Sequence, residues 1–303
     1  MKKRRSIGDK VFNIINITIM IIILVAVLYP FFNAVAISLN DANDTTRGGI
    51  TIFPRVFSLK NYQLIFTNPK VYNAYFITIS RTVLGTISAL FFTSLLAFGL
   101  AHKNLKGRSF YLILCIITMY FSGGLIPSYF LIRSLGLINS FWVYVIPGFV
   151  GIWNMLLMKT YFQGIPISLE ESARIDGANY ITIFFKIILP VSTPIIATIA
   201  LFIGVGQWNS WFDAYIYITK ANLKPMQSVL LSIISEARFA EALAATAGTA
   251  AGGINSNIGK GVNVNVRSIT MATMFVTILP IIMVYPFLQR YFVKGIMIGS
   301  IKG

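Results

Sequence analysis

A chain of 303 residues is long enough to bury a sizeable soluble core, yet 56% of its residues are hydrophobic, only 11% are charged, and mean hydropathy is +0.76. Soluble domains carry roughly a quarter charged residues, so this composition excludes an ordinary water-soluble fold and points to lipid as the main solvent. The net charge of +16 does not mark a nucleic-acid binder, because the basic residues stand at the ends of apolar segments and form no solvated patch; the single cysteine, Cys115, excludes a disulfide framework or a Cys-rich metal site.

In chain order, the basic run Lys2-Lys3-Arg4-Arg5 precedes an almost unbroken apolar stretch from Val11 to about Leu39. That stretch exceeds the roughly 7–15 apolar residues of a cleavable signal peptide and is read as a retained anchor. Spanning a bilayer takes about 20 mostly apolar helical residues. Stretches 11–39, 74–101, 109–132, 140–162, 191–218 and 268–289 qualify. The expected fold is therefore all-α and polytopic, with six transmembrane helices and both termini cytoplasmic. Positive charge agrees with this orientation: 14 of the 25 Lys and Arg residues fall in the segments assigned inside, ten in the longer segments assigned outside, and Arg81 within a span.

The second span carries Arg81 near its outer end, where the side chain is expected to snorkel toward water. His102, in the short inside loop that follows, is expected at the surface. In the third span, Ser122-Gly123-Gly124-Leu125-Ile126-Pro127 must interrupt the helix ladder. Lipid cannot satisfy the freed backbone groups, so the break either faces protein or a water-filled path, with Gly123 and Gly124 beside it, or is a packing kink.

The loop between the fourth and fifth spans is the most informative segment. Ser168 is placed as a helix N-cap, with Glu171 three residues later completing a capping box and the Glu170–Glu171 pair suiting the N-terminal helix dipole. Gly177 permits a sharp turn, and a second helical piece from Tyr180 to Ile188 leads into Pro190. A short helix–turn–helix lying across the inner face follows.

The fifth span contains Gln207, Trp208, Asn209, Trp211, Asp213, Tyr215 and Tyr217. On one continuous helix, Asn209 and Asp213 share a face at i and i+4, and Trp208, Trp211 and Tyr215 form an adjacent aromatic stripe. Amide, carboxylate and ring groups of this kind bind sugars, and an ionisable residue within a span usually faces a functional interior. Equally, at about 1.5 Å per residue from Pro190, Asp213 falls near the outer interface, where an aromatic belt is expected. In the outside segment 219–267, Met226 to Leu243 has helical spacing, whereas Ala244 to Asn265 has little to pack and is read as a flexible loop or a contact for an external partner.

The inner loop resembles the EAA loop of ATP-binding-cassette (ABC) importer permeases, whose pattern is Glu-Ala-Ala, three residues, Gly, nine residues, Ile, one residue, Leu-Pro. Glu171, Ala173, Gly177, Ile187, Leu189 and Pro190 fall in place, with Ser172 the one departure. The tail from Gln289 to Gly303 looks like that of maltose-type sugar permeases. Phe121 to Leu137 and Trp208 to Phe212 look like their polysaccharide and oligosaccharide subgroup. The resemblance implies the type I ABC importer transmembrane fold, a single membrane domain over 1–303 with an anchor at 1–40 and a core at 73–290, and a coupling loop at 163–190 that places Glu170, Glu171, Ala173, Asp176, Gly177, Ile187, Leu189 and Pro190 at or near an ATPase subunit. It implies a heterodimer with a second permease, two ATPase subunits, an extracytoplasmic sugar-binding protein and a bacterial cell-membrane location. No cofactor is expected on this chain, since it has no phosphate loop, and ATP and magnesium belong to the ATPase subunit. The substrate-pathway residues are expected to be Gln207, Trp208, Asn209, Trp211, Asp213 and Tyr215, with Gly123 and Gly124. The alternatives are a membrane-embedded enzyme, for which the sequence shows no nucleophile–base pair, and a secondary carrier. Such carriers place carboxylates or broken helices near the midplane, but an EAA loop has no role in one.

Overall fold

The computed structural model describes residues 7–246 and 265–300; the basic run Lys2–Arg5 and most of the Ala/Gly-rich outside segment lie outside them. The described residues are helical apart from turns and one isolated bridge, Asn40 with Phe57. They fall within two compact units, Met1–Pro69 with Leu230–Ile278, and Lys70–Val229 with Leu279–Gly303.

In the first unit, helix α1 (Ile7–Ser38) exposes apolar side chains all round and buries none of its most apolar window, as a helix solvated by lipid must. It ends where Asn40, buried between short helix α2 (Ala42–Thr45) and the turn at Phe57, bonds Asp44 Oδ2 and Thr45 Oγ1, each at 3.0 Å, and accepts from Val56 N–H at 2.9 Å. Asn61 of α3 (Lys60–Thr67) closes the same knot by donating to the carbonyls of Ser38 and Asn40.

In the second unit, α4 (Pro69–Ala101) buries Ala74, Thr78, Gly85, Ala89, Thr93 and Ala97 along one face. Lipid tails are as apolar as Leu, so helices in a membrane gain most from close approach, and a stripe of small residues permits it. Helices α5 (Arg108–Tyr120) and α6 (Leu125–Ser134) meet at 115°. The expected third span is thus two helices turned sharply on each other. Gly124 sits at φ +85° between them, a conformation that favours glycine. Two 3₁₀ turns, Phe141–Tyr144 and Ile146–Gly148, precede α7 (Ile152–Gln163) at a 44° bend.

Helix α8 (Ser168–Ile175) is followed by α9 (Tyr180–Ile183), a π-helical turn at Phe184–Ile188, and α10 (Leu189–Val191). The wide turn falls just before Pro190, which has no N–H to return to Lys186, and Leu189 N–H reaches back five residues to the Phe184 carbonyl. The chain then bends by 83° at buried Ser192 into α11 (Thr193–Asn209). Helix α12 (Phe212–Tyr217) follows, then α13 (Met226–Thr246), and α14 (Val266–Ser300) with Pro280 and Pro286 inside it. Among the described residues, three helices are long and apolar enough to cross a membrane alone, and up to six spans result if each bent pair counts as one.

The expected fifth span is the main correction. No helix runs through Ser210, whose backbone is extended (φ −71°, ψ 130°). Asn209 and Asp213 therefore do not share a helical face, and the Trp208, Trp211, Tyr215 stripe does not exist.

Candidate functional site

Two constellations of the second unit stand out: a polar cavity built around the break at Ser210, and the α8–α9 loop.

Arg81, on the small-residue face of α4, is 1% exposed. Its N–H groups all find acceptors. Nε and Nη2 donate to Gln207 Oε1 at 3.2 and 3.1 Å, and Nη1 donates to the Ser210 carbonyl at 3.3 Å and to Asp213 Oδ1 at 3.2 Å. Nη2 also pairs with Asp213 Oδ2, and the guanidinium lies 4.2 Å over the Tyr144 ring. Asp213, 24% exposed, accepts further from the Ser210 hydroxyl at 3.1 Å and the Ala214 N–H at 2.8 Å. Gln207 completes the ring by donating to the Tyr144 carbonyl at 3.2 Å. This arrangement makes the helix break tolerable in lipid: the freed Ser210 carbonyl meets a guanidinium, and the two charges neutralise each other. Gly85 leaves room for it, since a Cβ there would lie 2.8 Å from Gln207 Nε2 and would force that side chain to shift.

These groups line one side of a cavity of about 600 Å³ that also takes in Ser128 and Leu131 of α6, Pro147, Gly148 and Tyr217. Its polar wall is net neutral and offers carboxylate and carbonyl acceptors, a hydroxyl and aromatic rings. That chemistry suits a polyhydroxylated ligand, whose hydroxyls donate and whose ring faces stack.

The structure divides the sequence-derived pathway residues. Gln207 and Asp213 line the cavity. Trp208 is buried away from it, tilted against Tyr75 at 6.4 Å, beside a second, apolar cavity of about 190 Å³. Asn209 accepts from Gln227 Nε2 at 3.3 Å. Trp211 and Tyr215 are exposed and edge-packed at 6.2 Å. Gly123 and Gly124 form the α5–α6 turn, and α6 rather than the glycines reaches the cavity. Arg81 does not snorkel, a correction forced by Asp213 and Gln207. Tyr144 and Gly85 were not anticipated.

In the loop, α8 ends in a Schellman motif. Ala178 N–H bonds the Ala173 carbonyl at 2.9 Å and Gly177 N–H the Arg174 carbonyl at 3.0 Å, with Gly177 at φ +80°. The expected capping box is absent. Pro166 and Ile167 begin the turn a residue early, Ile167 is the N-cap without a side-chain bond, and Ser168 lies inside the helix. Asn179 caps α9 instead, accepting from Thr182 N–H at 2.8 Å. Glu171, Asp176 and Gly177 are exposed, and Ile175 is 87% exposed at the tip. Ala173 faces inward, and Ile187 and Leu189 pack on a core of Phe98, Met155, Met158, Phe162, Ile183, Phe184, Ile188 and Ile199, with Pro190 exposed. A capped helix is thus fixed to a rigid base and presents a charged and apolar tip. His102, expected at the surface, is half-buried, with its ring 3.0 Å from Glu170.

No family model matches the chain. It is 37% identical to the polygalacturonan/rhamnogalacturonan transport system permease protein YtcP of Bacillus subtilis over 274 residues, 90% of this chain and 92% of that protein. It is 38% identical to protein LplC of the same organism over 298 residues, 98% of this chain and 96% of that protein. The arabinooligosaccharides transport system permease protein AraQ of Halalkalibacterium halodurans is 27% identical over 281 residues, 91% of each chain. Among solved structures, a chain of a bacterial ABC transporter involved in the import of the acidic polysaccharide alginate superposes with a TM-score of 0.85 at 28% identity, covering 96% of this chain and all of that one.

Proposed function

Since the chain belongs to the sugar-transporting ABC permeases, as a multi-pass membrane subunit and not an enzyme, we propose that it forms half of the translocation pathway for an oligosaccharide. The substrate is delivered by an extracytoplasmic binding protein, and the pathway is completed by a second, related permease. Two ATPase subunits, holding ATP and magnesium, complete the complex, and one of them docks on the α8 tip of this chain. Both termini lie in the cytoplasm of a bacterial cell, and the α8–α9 loop is on that side. The observation that carries this is the loop itself: a rigidly based helix with a left-handed glycine turn and an exposed tip, where an EAA loop should be, in a chain similar to sugar permeases along nearly its whole length. Such a helix transmits closure of the ATPases as a rigid lever.

Substrate contact is assigned to the cavity at Arg81, Tyr144, Gln207, Asp213 and Tyr217. The polygalacturonan/rhamnogalacturonan and arabinooligosaccharides of the relatives' names, and the alginate of the structural neighbour, support an oligosaccharide as cargo. The test is uptake of radiolabelled oligogalacturonides and arabino-oligosaccharides into proteoliposomes holding the complete complex, ATP and binding protein. Uptake must stop when either the ATPase subunit or the binding protein is omitted; full uptake by this chain alone overturns the proposal.

A further inference from the structure

His102 immediately follows α4 and has an acceptor at both ring nitrogens. Nδ1 lies 2.9 Å from the Phe98 carbonyl and Nε2 lies 3.0 Å from Glu170 Oε2. A carbonyl only accepts, and so does an ionised carboxylate. Neutral imidazole carries one N–H, so either neutral tautomer would set a ring lone pair against an oxygen lone pair. Both contacts are satisfied together only by the imidazolium.

The surroundings agree. Glu170 Oε2 also lies 3.7 Å from Arg174 Nη2, so a second donor shares this carboxylate. The negative end of the long α4 dipole favours a cation at this position. Facing the ring are Phe98 of α4, edge-on at 4.7 Å, and Tyr180 of α9, edge-on at 5.7 Å, with Arg174 stacked on Tyr180 at 4.6 Å. Lys103 is next in the chain, and Arg108 of α5 donates to the Leu100 carbonyl at 2.9 Å. Glu170 is the carboxylate that faces the ring among these groups.

We propose that His102, as imidazolium, is the positioning residue that ties the end of α4 to α8 through Glu170, so that transmission from the loop to α4 weakens as rising pH removes the ring proton. Helix α4 carries Arg81, so this link joins the loop to the helix that builds the polar cavity. The inference rests on the loop being the ATPase contact.

The experiment measures sugar-stimulated over basal ATP hydrolysis of the purified, reconstituted complex from pH 6 to 8.5. Stimulation in the wild-type complex should fall with pH by on the order of fivefold, the scale of a partly exposed ion pair. His102→Arg, which keeps a charged multiple donor at all pH values, should hold its stimulation at pH 8.5. Glu170→Gln, whose amide can donate to a neutral ring, should flatten the profile at a lower level, and it carries the test if His102→Arg does not assemble. Profiles of these variants that superpose on wild type overturn the inference. In parallel, Asp176→Cys in a Cys115→Ala background should cross-link to the ATPase subunit. If it does and the profiles coincide, only the role of His102 falls; if it does not cross-link, the loop assignment falls and this inference with it.

Discussion

Removing the carboxylate of Asp213 is predicted to do more harm than removing the guanidinium it holds. In Asp213→Asn, Arg81 keeps Gln207 Oε1 and the Ser210 carbonyl but loses its counter-charge at a position only 1% exposed. An uncompensated buried charge costs about 3–5 kcal/mol. Arg81→Met leaves a carboxylate that still accepts from the Ser210 hydroxyl and the Ala214 N–H and is 24% open to water. Its loss should be about 1–2 kcal/mol. The double variant buries no charge and should recover at least about 2 kcal/mol of the Asp213→Asn loss. For a chain of this size, roughly 2 °C accompanies each kcal/mol. The midpoint for loss of monodisperse protein on heating should therefore fall by about 6–10 °C in Asp213→Asn and by about 2–4 °C in Arg81→Met. Additive losses, or Arg81→Met as the worse single variant, would refute the neutral buried pair.

Gly85→Ala should cut sugar uptake while the complex still assembles, because its Cβ would meet Gln207 Nε2 at 2.8 Å, whereas Gly204→Ala, with nothing nearer than Thr86 Oγ1 at 3.6 Å, should transport normally. Equal uptake by the two would remove Gln207 from the pathway. The Asn40 side-chain N–H first, and then the Arg55 guanidinium at 3.0 Å, hold the Asp44 carboxyl below its usual range. A depressed value stabilises the folded form above the unfolded value of about 3.9, and this is lost as pH falls through the folded value, so the 40–59 turn should lose protease resistance on acidification below about pH 4. Unchanged resistance at pH 3 would show the pair to be idle. Cysteines at Lys220 and Asp176, in a Cys115→Ala background, should react with an impermeant thiol reagent in intact cells only at Lys220. Labelling at Asp176 would reverse the orientation.

The spans and the loop were legible because their signals are local. Runs of about 20 apolar residues have few other readings, and glycine at 124 and 177 and proline at 190 punctuate the backbone through their own stereochemistry. The break at Ser210 was not legible, since Asn209-Ser210-Trp211 has no helix-breaking residue. The chain leaves the helix there to hand a carbonyl to Arg81, 129 positions away in the sequence. The snorkelling expectation for Arg81 failed for the same reason: it treats a span as alone in lipid. One signal was available, since Arg81 and Asp213 are isolated opposite charges in apolar surroundings, and such charges tend to pair. The capping box failed over a single residue of register, with Pro166 starting the turn early enough to place Ser168 inside the helix.

The proposed coupling through the α8–α9 loop turns on Gly177. Its φ is +80° and no atom lies within 4 Å of the position a Cβ would take, so a side chain there meets backbone strain and no clash. Asn should be tolerated best, Ala should cost about 1 kcal/mol and a β-branched residue more. The decisive measurement is sugar-stimulated ATP hydrolysis by the purified Gly177→Val complex, alongside the amount of ATPase subunit that copurifies. A coupling loop requires that stimulation is lost or the ATPase subunit is shed while the membrane subunits stay folded. Normal assembly with normal stimulation would contradict it.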